Sequence, residues 1–233
     1  MGHLDPIPAL HANDGWREVD ITASDEPLVL VDAIDTRIVD RAQYHAWGLP
    51  GSLERSWVRE GVAGRLARVA HGLPDGYTLV VWDAYRPLAV QTALFNAYLA
   101  ELIAVHPGMP ADALELAAAR YVTPPSRSMM APPPHLTGGA VDLTLGFADG
   151  TVRDLGTSFD AFVPEAETHA FEHVDSPVRE LRRRLYWAMH AEGFTNYPEE
   201  WWHFDFGDQF WGLATGQPAI YGPARRPGAT RPG

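Results

Sequence analysis

The sequence predicts an α+β fold. Three observations point there. Helical and strand-like patterns alternate along the chain. No Gly-rich phosphate loop, of the kind that opens a doubly wound sheet, accompanies them. The late strand candidates lie close together, as antiparallel hairpins do. With 233 residues, 46% hydrophobic and 21% charged, the chain has the balance of an ordinary globular protein. Global disorder, collagen-like sequence and a simple coiled coil are excluded. The length fits one compact domain, read here as residues 1–221, with an unstructured Gly-, Pro- and Arg-rich tail over 222–233.

The elements follow in order. Leu28–Val31 is a short apolar strand after a polar start. From Arg55 to His71, Val58, Val62, Leu66 and Val69 recur at helical spacing, and Gly72-Leu73-Pro74 ends the helix. Pro74-Asp75-Gly76 is a turn, and Tyr77–Trp82 is a buried strand, β-branched and aromatic. Pro87 opens a helix that runs to Val105, and Asp112–Tyr121 forms another. Five prolines within 122–134 force an extended or looped segment. Ala140–Leu145 is a strand. Residues 156–177 are irregular. Ser176-Pro177 caps a helix that continues to Glu192 and stops at Gly193. Trp201–Phe206 is an aromatic strand.

Composition narrows the partners. The formal net charge is -12, and an acidic chain repels phosphate backbones, so nucleic acid and anionic membranes are not expected. With no cysteine, disulfides, thiolate ligands and Cys nucleophiles are ruled out, and any metal must be held by His, Asp or Glu. The N-terminus lacks the pattern of a secretory signal. No run of about 18 apolar residues is read as a membrane span. A cytoplasmic protein is the expectation.

Three constellations carry possible chemistry. In the first, His135 leaves the Pro-rich loop and Asp142 sits inside an apolar strand. A carboxylate between Val141 and Leu143 is costly to bury unless paired or metal-bound. Gly138-Gly139 permits the tight turn that returns His135 toward Asp142. The alternative is a solvent-facing Asp on an edge strand. In the second, Glu200 and His203 stand three apart among Trp201, Trp202, Phe204 and Phe206. In a regular strand they face opposite sides, so they converge only if Glu200 lies in the turn after Pro198 or at a bulge. Otherwise the segment is an aromatic core strand with polar rims. The third, Trp82-Asp83-Ala84-Tyr85-Arg86-Pro87, joins a strand end to a helix start. Arg86 there is either a planar anion binder or half of a structural pair with Asp83. Taken together, two His and one Asp make a three-ligand set that leaves a fourth position for water, as in catalytic zinc sites. A nearby Glu suits proton transfer and an Arg suits oxyanion stabilisation. Asp205, two residues from His203, is either a partner of that ligand or a rim carboxylate. The other histidines are read as surface or packing groups.

These motifs resemble the zinc D-alanyl-D-alanine dipeptidases of the vancomycin-resistance type. The matching segments are Trp-Asp-Ala-Tyr-Arg-Pro at 82–87, His-x-x-Gly-x-Ala-Val-Asp-Leu-Thr-Leu at 135–145, Gly-Thr-x-Phe-Asp at 156–160 and Glu-Trp-Trp-His at 200–203. They stand in the family's order over about 40–215. The resemblance implies a small α+β domain with a central antiparallel sheet and one zinc ion held at the sheet by His135, Asp142 and His203. It also implies Glu200 as general base and acid, Arg86 as transition-state stabiliser and Asp160 as a grip on the substrate ammonium. The implied substrate is a small D,D-dipeptide, D-Ala-D-Ala, in a narrow pocket. Cleavage of larger cell-wall peptides, or of another dipeptide-like amide, is the alternative, and a metal-free binding module is a further one. A Ser-His-Asp hydrolase lacks its Gly-x-Ser-x-Gly elbow. Two departures bear on recognition. Family members often carry an Arg-Tyr pair, with the Tyr near the substrate amine, where this chain has Arg37-Ile38. Some carry Ser residues before the first zinc His, where this chain has Pro133-Pro134.

Overall fold

The computed structural model describes residues 4–10, 13–22 and 24–227. Its elements are β1 (Leu28–Leu30), β2 (Ile38–Asp40), α1 (Gln43–Ala46), β3 (Trp57–Arg59), α2 (Glu60–Gly72), β4 (Thr78–Asp83), α3 (Leu88–Val105), α4 (Ala111–Tyr121), α5 (Pro134–Thr137), β5 (Ala140–Gly146), α6 (Pro177–Ala191), β6 (Thr195–Asn196), β7 (His203–Asp205) and α7 (Gln209–Thr215). The class is α+β, as the sequence predicts.

A five-stranded sheet runs in the order β2-β4-β5-β7-β6, and β1 pairs with β3 in a separate ribbon. The sheet is antiparallel except at one edge, where β2 lies parallel to β4. The expected central antiparallel sheet is present, with one parallel strand added at that edge. The physical reason is the long connection between the two strands, which holds α1, β3 and α2 and gives the crossover that a parallel pair needs.

Alternation along β5 divides its side chains. Val141, Leu143 and Leu145 join the main core, together with Val62, Leu66 and Val69 of α2 and Leu185 and Met189 of α6. The opposite face of β5 carries Asp142 and Thr144, which are also buried. Asp142 is 1% exposed, so the solvent-facing alternative for this carboxylate is gone.

Several boundaries shift from the sequence reading. The predicted helix from Arg55 starts only at Glu60, because Trp57–Arg59 is extended and pairs with β1. The predicted strand Trp201–Phe206 shrinks to His203–Asp205, with Trp201 and Trp202 in a turn. His135 sits on a one-turn helix, α5, with Pro134 in its first turn, rather than in the loop. The Ser176 cap holds: its hydroxyl accepts from the Arg179 amide at 3.3 Å. In the tail segment, Gly222 and Ala224 are hydrogen-bonded, to Arg59 and Leu136 respectively. Residues 228–233 of the expected tail lie outside the described residues.

One helix among the described residues bears on the reading that no stretch spans a membrane. Helix α3 has 18 residues with a hydropathy of 1.5, long and apolar enough by length and composition to cross a membrane. Its Gln91, Thr92, Asn96 and Glu101 are outweighed in that average by Ala, Leu and Val. In this fold it packs against α4, with Tyr98 edge-on to Tyr121.

Candidate active site

The sheet register aligns the site. Asp83 of β4 faces Asp142 of β5, and Asp142 faces His203 of β7. A register shift between Val81 and Asp83 turns the end of β4 toward this row. The third donor, His135, arrives from α5. The turn that brings it back is built on glycine: Gly138 has φ 74°, and a Cβ there would stand 2.5 Å from Leu28 Cδ2. At Gly139 a Cβ would meet the Phe206 carbonyl oxygen at 2.5 Å. Buried Arg59 fixes the same turn, donating to the carbonyls of Thr137, Glu26 and Gly222.

His135, Asp142 and His203 each present one donor atom, and all three atoms lie within 4.8 Å of one another. His135 Nε2 is 3.2 Å from His203 Nδ1 and 3.3 Å from Asp142 Oδ2. Asp142 Oδ1 is 3.0 Å from His203 Nδ1. Ligand atoms around a tetrahedral ion with bonds of about 2.0–2.1 Å stand about 3.3 Å apart, so these residues fit zinc. The far side of each ring is anchored. His135 Nδ1 lies 2.8 Å from the Ala84 carbonyl, and His203 Nε2 lies 2.8 Å from Asp205 Oδ1. With Nδ1 donating to Ala84, His135 keeps the lone pair of Nε2 free for a cation.

The electrostatics favour a cation in the same place. Burial alone raises a carboxyl pKa, yet Asp142 is held well below the usual range by the charge of His135 and by hydrogen bonds from both imidazoles. His203 is pushed well above the ordinary histidine value. Burial opposes that, but Asp205 and Asp142 outweigh it. Carboxylates that hold a proton on His203 this strongly also suit a metal ion at that position.

Glu200 occupies the turn after Pro198, the placement that convergence with His203 requires. The His203 amide donates to the Glu200 carbonyl at 3.2 Å, and the Glu200 carboxylate lies 4.0 Å from His203 Nδ1. Burial raises the Glu200 pKa well above its usual value, with His203 opposing and Asp142 and Asp160 adding to the rise.

Arg86 follows the end of β4. It donates to Asp83 at 2.8 Å, Gln91 at 2.8 Å and Asp142 at 3.3 Å. The pair with Asp83 that the sequence offered as an alternative is therefore present, and one further nitrogen reaches the Asp142 carboxylate. Burial disfavours the guanidinium, but the negative partners around it prevail and keep it charged.

Asp160 accepts a hydrogen bond from the Tyr44 hydroxyl at 2.7 Å. Burial raises its pKa to about 7, against the pull of Arg86 and of this bond. Its backbone is left-handed, φ 57°, and so is that of Ala42, φ 35°, just ahead of α1. A side chain in that region costs roughly 1–3 kcal/mol and tends to mark functional sites. Ile38 lies in β2, but a tyrosine hydroxyl reaches Asp160 from α1 instead.

All six residues singled out by the sequence (Arg86, His135, Asp142, Asp160, Glu200 and His203) line one cavity of about 160 Å³. Sequence reasoning missed Tyr44 and Gln91 in its wall. Only the aromatic character of Tyr44 in a polar stretch hinted at a contact. Asp205 supports the His203 ring at 2.8 Å, and Asp205→Ala is expected to weaken zinc affinity by about 10–100-fold, measured by equilibrium dialysis. Unchanged affinity would assign Asp205 to packing alone.

Comparison with known proteins identifies the family. Residues 53–218 match a family model described as D-ala-D-ala dipeptidase. A D-alanyl-D-alanine dipeptidase of Synechocystis sp. is 30% identical over 66% of this chain and 70% of its own length. One from Enterococcus faecium is 32% identical over 58% of this chain and 65% of its own length. Among solved structures, a vancomycin-resistance D,D-pentapeptidase in complex with Zn(II) aligns with a TM-score of 0.43 and 19% identity, over 71% of this chain and 83% of that one. The family match spans most of the chain, and the candidate His135–Asp142–His203 triad has zinc-site dimensions. The protein belongs to the D-Ala-D-Ala dipeptidase family of zinc metallopeptidases.

Proposed function

We propose that this protein hydrolyses the dipeptide D-Ala-D-Ala to free D-alanine at one zinc ion held by His135, Asp142 and His203. The observation that carries the reading is the meeting of this triad with Glu200, Arg86 and Asp160 in a cavity of about 160 Å³, a size suited to a small dipeptide. The dipeptidase names of the relatives support the same substrate.

Zinc, when bound, polarises the scissile carbonyl and lowers the pKa of water to about 7. Glu200 accepts the proton of the attacking water and delivers it to the departing amine nitrogen. A carboxylate whose pKa is raised by burial is suited to both transfers. Arg86, immobilised by Asp83 and Gln91, presents fixed positive charge to the oxyanion that develops on the carbonyl oxygen. Asp160 holds the substrate's free ammonium, and Tyr44 orients that carboxylate by its hydrogen bond.

The direct test is release of D-alanine from D-Ala-D-Ala by the zinc-loaded protein. No release above a heat-inactivated blank, with zinc bound, would overturn the reading. A pH profile probes the ammonium contact. Asp160 ionises at about 7, so it is neutral below that pH and charged above it. The value of kcat/KM is expected to fall as pH drops through about 7, and Asp160→Asn should remove that limb and raise KM. A limb that survives in Asp160→Asn would assign it to another group.

A further inference from the structure

Beside the metal-site cavity lies a groove of about 740 Å³. The two share Tyr98, Arg120, Tyr121, Thr123, Tyr197 and Phe210 as a common wall. The groove continues between α4 and the segment 13–17, past Trp16, Leu116 and Ala117. None of Tyr44, Arg86 and Asp160 reaches it, so it leaves the site on the side away from the ammonium grip.

Arg120, at the end of α4, closes this common wall. Its Nε and Nη2 donate to Glu199 at 2.8 and 2.5 Å, and Nη2 also donates to Glu167 at 2.9 Å. The Tyr197 hydroxyl donates to the Arg120 carbonyl at 2.5 Å. One side chain thus clasps α4 to the turn before Glu200 and to the loop holding Glu167. The Arg120 side chain is 49% exposed, and ion pairs at such exposure hold weakly.

We propose that Arg120 sets the length of peptide the site accepts. Clasped, it confines the cavity to a dipeptide. Released, it joins the cavity to the groove, where residues added to the carboxyl end of the substrate would lie. The occupant is an extension of the substrate itself, a peptide with a free amino terminus and small or apolar residues, matched to Trp16, Leu116 and Phe210. This inference rests on the dipeptidase reading, with the ammonium at Asp160.

The test measures binding and turnover of D-Ala-D-Ala, D-Ala-D-Ala-D-Ala and N-acetyl-D-Ala-D-Ala by the zinc-loaded full chain. Calorimetry on the Glu200→Ala background reads affinity apart from chemistry. Arg120→Ala is expected to raise the tripeptide-to-dipeptide ratio, in both affinity and kcat/KM, by about tenfold. Glu167→Ala should shift it in the same direction by less. Ala117→Trp added to Arg120→Ala should cancel the gain by filling the groove. An unchanged ratio in both clasp variants, with dipeptide still bound, overturns the gate. An equal gain for the N-acetylated dipeptide also overturns it, because the site would then be loosened at the wrong end. Failure of the wild-type protein to bind or cleave D-Ala-D-Ala overturns the underlying substrate reading, and the gate with it.

Discussion

Glu200→Ala is expected to slow D-Ala-D-Ala hydrolysis by about 10²–10⁴-fold while the protein keeps its zinc. The carboxylate is buried and lies 4.0 Å from a donor atom of the triad, but it is not one of the three converging donors. Its removal therefore deprives the reaction of its proton carrier without dismantling the metal site. Steady-state kinetics together with metal analysis separates the two effects. Hydrolysis at the wild-type rate would show that another group moves the proton. Loss of zinc along with activity would recast Glu200 as part of the ligand set. The Glu200→Gln variant keeps the shape of the side chain and should be nearly as slow, since an amide cannot accept the proton.

Asp142→Ala is expected to remove both metal and activity, and to destabilise the fold by about 3–5 kcal/mol. This carboxylate, 1% exposed, is where Arg86, His135 and His203 meet. Without it, a buried guanidinium and two imidazoles lose their shared acceptor, and Arg86 is left with its 2.8 Å pair to Asp83. Zinc content by atomic absorption and unfolding in urea give independent readouts. Stoichiometric zinc in Asp142→Ala would overturn the assignment of the triad. Asp142→Asn, which preserves volume, should lose zinc with a smaller cost in stability.

Much of this site is legible in the sequence because its chemistry conflicts with its surroundings. An Asp inside Ala-Val-Asp-Leu-Thr-Leu needs a compensating charge, and the structure gives it three partners. Two glycines after His135 imply a close approach, and a Cβ at either would collide with its neighbours. The convergence condition for Glu200 and His203 likewise follows from strand geometry, and the turn after Pro198 satisfies it. What periodicity conceals is competition between local and tertiary demands. Trp57–Arg59 carries helical spacing, but pairing with β1 makes it a strand. Trp201 and Trp202 have the composition of a strand, but the turn that delivers Glu200 takes them. Long-range contacts leave no local trace at all. Tyr44 meets Asp160 across 116 residues, and Arg59 reaches Thr137 across 78. The parallel edge strand belongs to the same class, since no short pattern encodes which strand lies beside β4.

The direct opposition of Asp142 and His203 on neighbouring strands would make the proposed metal centre a check on chain alignment. A slip of β7 by one residue would carry Trp202 or Phe204 into the position of His203 and turn the imidazole to the other face. A molecule misaligned in this way would turn Phe204 off the core face and hold no zinc. Retained metal therefore counts correctly registered molecules. Because an ion that binds only the native state stabilises it by mass action, zinc present during refolding would draw the population toward the correct pairing of β5 and β7.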